Sequence, residues 1–168
     1  AWKYIINLLI CVSTVSGTHA ESFQVSSSQE FETAQGNAKP RDSIVWSAGK
    51  YSNINLELRT DHIVFHSIEP GATTFTGSST LIVSGSENVV SGFQFIGGNI
   101  KGDVVDISGS KNTIQHINIK NYDSHYYLRV RPNCQYNKII YCNFEAKPET
   151  QESSVVQIEA SENTIGHH

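Results

Sequence analysis

The sequence predicts an all-β parallel solenoid with a short helix at its N-terminal end. Three observations carry that reading: a repeat with a period in the twenties, apolar columns in register with it, and a capping-box helix ahead of the first coil. Four asparagines, Asn88, Asn112, Asn137 and Asn163, stand 24, 25 and 26 residues apart. Three of them share nearly the same lead-in: Val83-Ser84-Gly85-Ser86-Glu87-Asn88, Ile107-Ser108-Gly109-Ser110-Lys111-Asn112 and Ile158-Glu159-Ala160-Ser161-Glu162-Asn163. Residues 132–137 are a degenerate copy in the same register. A repeat made of short strands and small-residue turns, without helical periodicity, is one coil of a solenoid.

The helix is expected over residues 26–34, where Ser27 and Glu30 have the spacing of a capping box and the segment from Gly36 to Pro40 ends it. It would plug the first coil, which otherwise exposes core and unpaired strand edges. Strands then follow at 43–46, 54–58, 62–66 and 73–75, with turns at Gly49, Pro70-Gly71 and Gly77. In the repeats, Val90, Phe93 and Phe95, then Ile114, Ile117 and Ile119, then Ile139, Cys142 and Phe144 fall at equal offsets after each Asn. Each offset becomes an inward column when coils stack about 4.8 Å apart. Leu81 and Val83, Val105 and Ile107, and Val156 and Ile158 point inward before the Asn, while Ile82, Asp106, Arg131 and Gln157 share an outward column. The Asn column is read as architecture, because Asn accepts left-handed turn geometry and carries both a donor and an acceptor.

The same columns assign the remaining conspicuous residues. Cys142 replaces Phe93 and Ile117 and is expected as a buried small hydrophobe, whereas Cys134 aligns with Gly85, Gly109 and Ala160 at another corner, an arrangement that does not favour a disulfide. Asp106 and Arg131 are expected as a cross-strand ion pair. His116, Tyr141 and His167 share a column beside the core, either a surface stack of rings or a platform for a sugar.

Lys3, the apolar stretch 4–15 and Ser16-Gly17-Thr18-His19-Ala20 form a signal-peptide pattern, dividing the chain into a leader, 1–20, and one domain, 21–168, exported to the periplasm or beyond with no membrane attachment after cleavage. Of 12 basic residues Lys3 lies in the leader, which leaves 11 against 16 acidic ones, a net charge of −5. Residues 101–147 run against this trend: Lys101, Lys111, Lys120, Arg129, Arg131, Lys138 and Lys147 face Asp103, Asp106, Asp123 and Glu145, a local charge of +3. Such a zone attracts an anionic polymer, and Arg129 and Arg131, two apart on one strand, emerge on the same face. Nucleic acid is excluded as a partner, since the basic residues are sparse and lie on no helix.

The order of the helix, Pro40-Arg41-Asp42-Ser43-Ile44-Val45-Trp46, Gly71, Phe75, Gly77-Ser78-Ser79 and Asn88-Val89-Val90-Ser91-Gly92-Phe93-Gln94-Phe95 resembles polysaccharide lyase family 6, the alginate lyases and chondroitinase B-type enzymes, which are right-handed parallel β-helices. The runs Asn137-Lys138-Ile139-Ile140-Tyr141-Cys142-Asn143-Phe144-Glu145-Ala146-Lys147 and Asn163-Thr164-Ile165-Gly166-His167-His168 extend the likeness. The resemblance implies β-elimination of a uronic-acid polymer. Ca²⁺, held by an Asn and a closely spaced Glu pair, neutralises the uronate carboxylate there, while a Lys removes the C5 proton and an Arg assists the leaving oxygen. No Glu-x-Glu followed directly by Lys occurs in this sequence. The expectation is therefore the N-terminal portion of a lyase, inactive alone, with no catalytic or metal-ligating residue assigned and with an uncapped end prone to self-association. Arg129, Arg131, His116 and Tyr141 are the candidate substrate-binding residues. The alternative is a non-catalytic polysaccharide-binding or adhesin-like β-helix. Hydrolysis of the polygalacturonase kind would need clustered Asp, and Asp103 with Asp106 is the only close Asp pair.

Overall fold

A computed structural model describes residues 19–148 and 155–166. Most of the expected leader, 1–20, lies outside the described residues, as do 149–154 and the final two histidines.

The described chain winds as a parallel β-solenoid. Strand β1 (Ser22–Val25) and helix α1 (Ser28–Asn37) precede the first full coil, β2 (Ser43–Trp46), β3 (Gly49–Ser52) and β4 (Asn55–Leu58). The next coils are β5 (Val64–Ser67), β6 (Thr73–Thr76) and β7 (Thr80–Val83), then β8 (Val89–Ser91), β9 (Phe93–Ile96) and β10 (Val105–Ile107). They continue with β11 (Thr113–Gln115), β12 (Asn118–Lys120) and β13 (Leu128–Val130), then β14 (Lys138–Ile140), β15 (Asn143–Glu145), β16 (Val156–Ile158) and finally β17 (Thr164–Gly166). Like strands of successive coils pair in parallel to give three sheets, ordered β1-β2-β5-β8-β11-β14-β17, β3-β6-β9-β12-β15 and β4-β7-β10-β13-β16. Two of these strands escape the sequence reading. β1 falls among residues with no repeat partner, and β3 begins at Gly49, a residue type that reads as a turn but here starts a strand with φ 138°.

The columns form as expected. Val90, Ile114, Ile139 and Ile165 are successive register partners in the first sheet, and the first three are essentially buried, whereas Ile165 on the last described strand is 49% exposed. Aromatic rings fill the first coils: Phe65 lies 4.6 Å from Phe93 and Phe75 lies 5.3 Å from Phe95 between centroids. The helix adds to this cluster, with Phe31 4.9 Å from Phe65.

Helix α1 starts as the sequence implies. Ser27 Oγ accepts from the Glu30 amide at 3.2 Å, although the Glu30 carboxylate reaches Ser26 N at 2.7 Å rather than the cap residue itself. Its plugging role rests on a side chain that sequence analysis did not single out. Buried Gln35 donates to Glu57 O at 3.0 Å and accepts from Arg59 N at 2.6 Å, so it completes the unpaired edge of β4 in place of a strand.

The Asn column forms a ladder. Oδ1 of Asn112, Asn137 and Asn163 accepts from the amide of Asn88, Asn112 and Asn137 respectively, each at 2.9 Å. The side-chain amides of Asn112 and Asn137 donate to the carbonyls of Gly85 and Gly109, so both bonds of each side chain reach the preceding coil. The three asparagines from Asn88 to Asn137 are buried, and their polar atoms are consumed by the backbone of adjacent coils.

Both described cysteines are free, Cys134 buried and Cys142 partly exposed. Burial raises both thiol pKa values, with a further contribution from Asp106 at Cys134. Cys142 is less covered than Phe93 and Ile117, so the full burial expected of its column is not reached there.

Candidate functional site

The outer face of the third sheet gathers the charged groups. On β13, Leu128 and Val130 point into the core, so Arg129 points out, and Arg131 emerges on the same side just past the strand end. The register corrects one expectation. Asp106 pairs with Ile82 on one side and Arg129 on the other, and Arg129 pairs with Gln157, so the outward column contains Arg129 and not Arg131. The cause is a corner two residues longer in this copy: Val130 to Asn137 spans more chain than Ile107 to Asn112. Counting back from the Asn therefore displaces the strand.

The expected ion pair nevertheless forms. Arg131 Nε donates to Asp106 Oδ1 at 3.0 Å, with Nη2 on Oδ2. Arg129 makes a forked contact with Glu159, Nε to Oε2 at 3.1 Å and Nη2 to Oε1 at 2.8 Å. Asp103, its side chain 5% exposed, lies 3.7 Å from both guanidiniums and 3.6 Å from His125 Nδ1, and accepts from Tyr126 N at 3.2 Å. Tyr126 sits beneath Arg129, whose Cζ is 5.9 Å from the ring centroid. The hydrogen bond to Glu159 raises the Arg129 pKa, and the one to Asp106 raises that of Arg131.

Two guanidiniums thus sit among three carboxylates, which gives the cluster one net negative charge when His125 is neutral. The basic zone is compensated elsewhere too: Lys120 contacts Glu145 at 3.3 Å, Lys147 contacts Asp123 at 2.7 Å, and Lys111 contacts Glu87 at 3.7 Å. Several of these partners belong to a neighbouring coil. The arginine face is therefore a rigid, pre-oriented lattice of donors rather than a bare cationic patch. Arg131 Nη1 takes part in neither of its bonds to Asp106, and it is one donor that a carboxylated polymer could engage.

His116 and Tyr141 meet at a different place, the corner between the first and second sheets. Their rings are stacked at 5.3 Å with an interplanar angle of 9°, on backbones with φ of 52° and 53°. Gly92 occupies the same corner column one coil earlier, and His167, the third expected ring, lies outside the described residues. The four candidate residues consequently form two separate groups.

Calcium binding does not fit the described coils. Among the described residues no three His, Cys, Asp or Glu side chains cluster to hold a metal ion, and the ladder asparagines have their oxygens occupied by backbone amides.

Comparison with known proteins bears on this fold. The family model described as chondroitinase B matches residues 25–168. The chain belongs to the chondroitinase B family. Among solved structures it is similar to the PL6 family alginate lyase AlyGC, with a TM-score of 0.64 and 19% identity over 82% of this chain and 23% of that one. It is also similar to the PL6 family polysaccharide lyase Pedsa3628 from Pseudopedobacter saltans, with a TM-score of 0.67 and 19% identity over 82% of this chain and 41% of that one. The chain spans less than half the length of either relative. No curated protein sequence matches it. The shared fold is that of PL6 lyases, and membership of the family agrees with the resemblance carried by the sequence motifs.

Proposed function

We propose that this chain is the N-terminal portion of an exported polysaccharide lyase that cleaves a uronic-acid polymer, alginate or chondroitin/dermatan sulfate, by β-elimination, and that its described coils bind polymer without supplying the reacting groups. The family match over 25–168 is the observation that carries the reading. In that reaction, as the family resemblance implies, Ca²⁺ would stabilise charge at the uronate carboxylate, and no ligand for it is assigned among the described residues. The residues here hold and orient the chain: Arg129 and Arg131 present donors outward, fixed by Glu159, Asp106 and Asp103.

The chain alone should show little or no eliminase activity. Incubation with alginate, polyguluronate, polymannuronate and dermatan sulfate in the presence of Ca²⁺ should give no sustained rise in ultraviolet absorbance from unsaturated products. A robust, chelator-sensitive rise would place reacting groups in these coils and overturn that part of the reading. Binding is a separate measurement. Arg129→Ala and Arg131→Ala should each weaken retention on immobilised alginate roughly three- to fivefold, the effect of partly exposed ion pairs worth under about 1 kcal/mol, and should reduce its salt dependence. Unchanged retention in both variants would remove the arginine face from the polymer path.

At the expected processing point lies a contact that cleavage would change. Glu21 N lies 2.8 Å from Asp42 Oδ1, and Asp42 is buried and also accepts from Lys39 N at 2.7 Å. These two backbone donors, Lys39 first, hold the Asp42 carboxyl below its ordinary value of 3.8. Cleavage after Ala20 would turn the Glu21 amide into an ammonium at the same spot. A chain beginning at Glu21 should therefore melt at a higher temperature than the same chain N-acetylated. A depressed carboxyl pKa contributes stability above the unfolded value and loses it as pH falls, so the gap should be full at neutral pH and close below about pH 4. Equal melting at pH 7 would break the link between this contact and processing.

A further inference from the structure

On the outer face of the first sheet, apart from the arginine cluster on the third, a groove of about 310 Å³ is lined by Val64, His66, Ile68, Pro70, Ser91 and Gln115 among others. Its origin lies in the register. His66, Ser91 and Gln115 are successive partners on β5, β8 and β11, so this column passes from an imidazole through a small hydroxyl to an amide and dips at Ser91. Val64 and Val89 form the parallel apolar column beside it. The turn carrying Ile68, 46% exposed, and Pro70 stands as one wall. Gly92 makes the groove end open. Its φ is 85°, and a Cβ there would lie 3.2 Å from Pro70 Cα. In that corner column the next two positions are the stacked rings of His116 and Tyr141, so nothing at the Gly92 position covers the preceding side of the stack.

The chemistry of the lining is specific. It combines apolar walls with neutral donors and acceptors and has no charged side chain. His66 Nδ1 is 2.7 Å from Ser67 O, which in the neutral ring assigns the proton to Nδ1 and leaves Nε2 as an acceptor. Gln115 Nε2 and Ser91 Oγ are 3.5 Å apart, a long contact that either group can exchange for a ligand hydroxyl. An amphipathic lining of this kind suits a pyranose ring, whose C–H face packs on apolar side chains while its hydroxyls bond to neutral polar groups. A bare carboxylate or sulfate finds no Lys or Arg inside it. In the two outer columns the cation is Lys138, on the Val64-Val89-Thr113 row and two coils past Val89.

We propose that this groove is a second saccharide-binding site, which takes one pyranose ring of an acidic polysaccharide while the polymer continues along the solenoid axis past the His116–Tyr141 stack toward Lys138. The proposal rests on a polysaccharide being the ligand of the chain. Isotope-labelled protein titrated with alginate and chondroitin oligosaccharides, followed by amide chemical shifts, tests it. Shifts at His66, Ser91, Gly92, Gln115 and His116 are expected, and Ser91→Phe, which fills the groove, should raise the apparent dissociation constant of those shifts at least about tenfold. Gln115→Ala, which adds no bulk, should weaken the same shifts and serves if the phenylalanine perturbs folding. Shifts confined to Asp103, Asp106, Arg129 and Arg131 would overturn this site and leave the polymer-binding reading standing. Shifts nowhere, with either oligosaccharide, would overturn both.

Discussion

Gly109→Ala is expected to destabilise the chain by roughly 3 kcal/mol or more, the upper range for a single substitution, although it adds only a methyl group. The turns before the Asn ladder are tight. Ser108 N and Gly109 N both donate to Val83 O, at 2.9 and 3.1 Å, and this draws Gly109 against the carbonyl of Gly85 one coil below. A Cβ on Gly109 would overlap that carbonyl oxygen, and one on Gly85 would overlap Thr60 O in the same way. Neither obstacle is a flexible side chain, so the coil itself must shift, and the shift falls on the Asn112 to Gly85 and Asn137 to Gly109 hydrogen bonds. The natural contrast is Ala160, which takes the equivalent place in the last repeat. The corner beneath it is the longer one that presents Cys134 O, not a glycine carbonyl, to Asn163. Urea unfolding should show a much lower midpoint for Gly109→Ala, while Ala160→Gly should cost no more than about 1 kcal/mol. A midpoint unchanged at Gly109 would mean that the corners slide freely past one another and that the ladder does not depend on their contact.

The solenoid was legible because its repeat is enforced by a residue with a non-substitutable task. The Asn side chain supplies both an acceptor for the preceding coil's amide and a donor for its carbonyl, so it recurs where flanking strands vary. Inward columns were legible for the same reason, since each side of the core requires an apolar residue at a fixed offset. β1 and β3 were not, because Ser22–Val25 lacks a sequence repeat and the polar Gly49–Ser52 has none of the apolar density of its partners. The candidate site was read less completely. That Arg129 and Arg131 share a face follows from strand alternation alone, but Glu159 is 30 residues from Arg129 and Asp106 is 25 from Arg131. Charge counted along the chain overstates the positive field whenever each coil lies beside another of opposite sign. The two-residue expansion of the 131–136 corner also hid which arginine belongs in the column, because the Asn and the strand no longer keep a constant distance. Gln35 left no signal, since a glutamine in a polar helix looks like any other solvated residue until the edge of β4 is placed against it.

Asn112→Ala should cost about 3 kcal/mol, and the pattern of loss should separate an architectural Asn from a ligand-binding one. The side chain is fully buried and makes two bonds: Oδ1 accepts from Asn88 N, and Nδ2 donates to Gly85 O, both at 2.9 Å. Alanine strands a buried N–H at Asn88 and a buried C=O at Gly85 on the preceding coil, each worth about 1–3 kcal/mol when unsatisfied. Asn112 N still reaches Asn137 Oδ1, so the ladder is broken at one rung rather than unzipped. Asn112→Asp keeps an acceptor for Asn88 N but replaces the donor with a carboxylate facing the Gly85 carbonyl. It should therefore be at least as damaging at neutral pH and recover in acid, where the protonated carboxyl again donates. Thermal unfolding of the three proteins at pH 7 and pH 4, together with retention on immobilised alginate, distinguishes the cases. Full stability with lost retention would make Asn112 a ligand of the polymer. Lost stability, with retention unchanged in whatever fraction stays folded, is the outcome that the closed circuit of backbone hydrogen bonds requires.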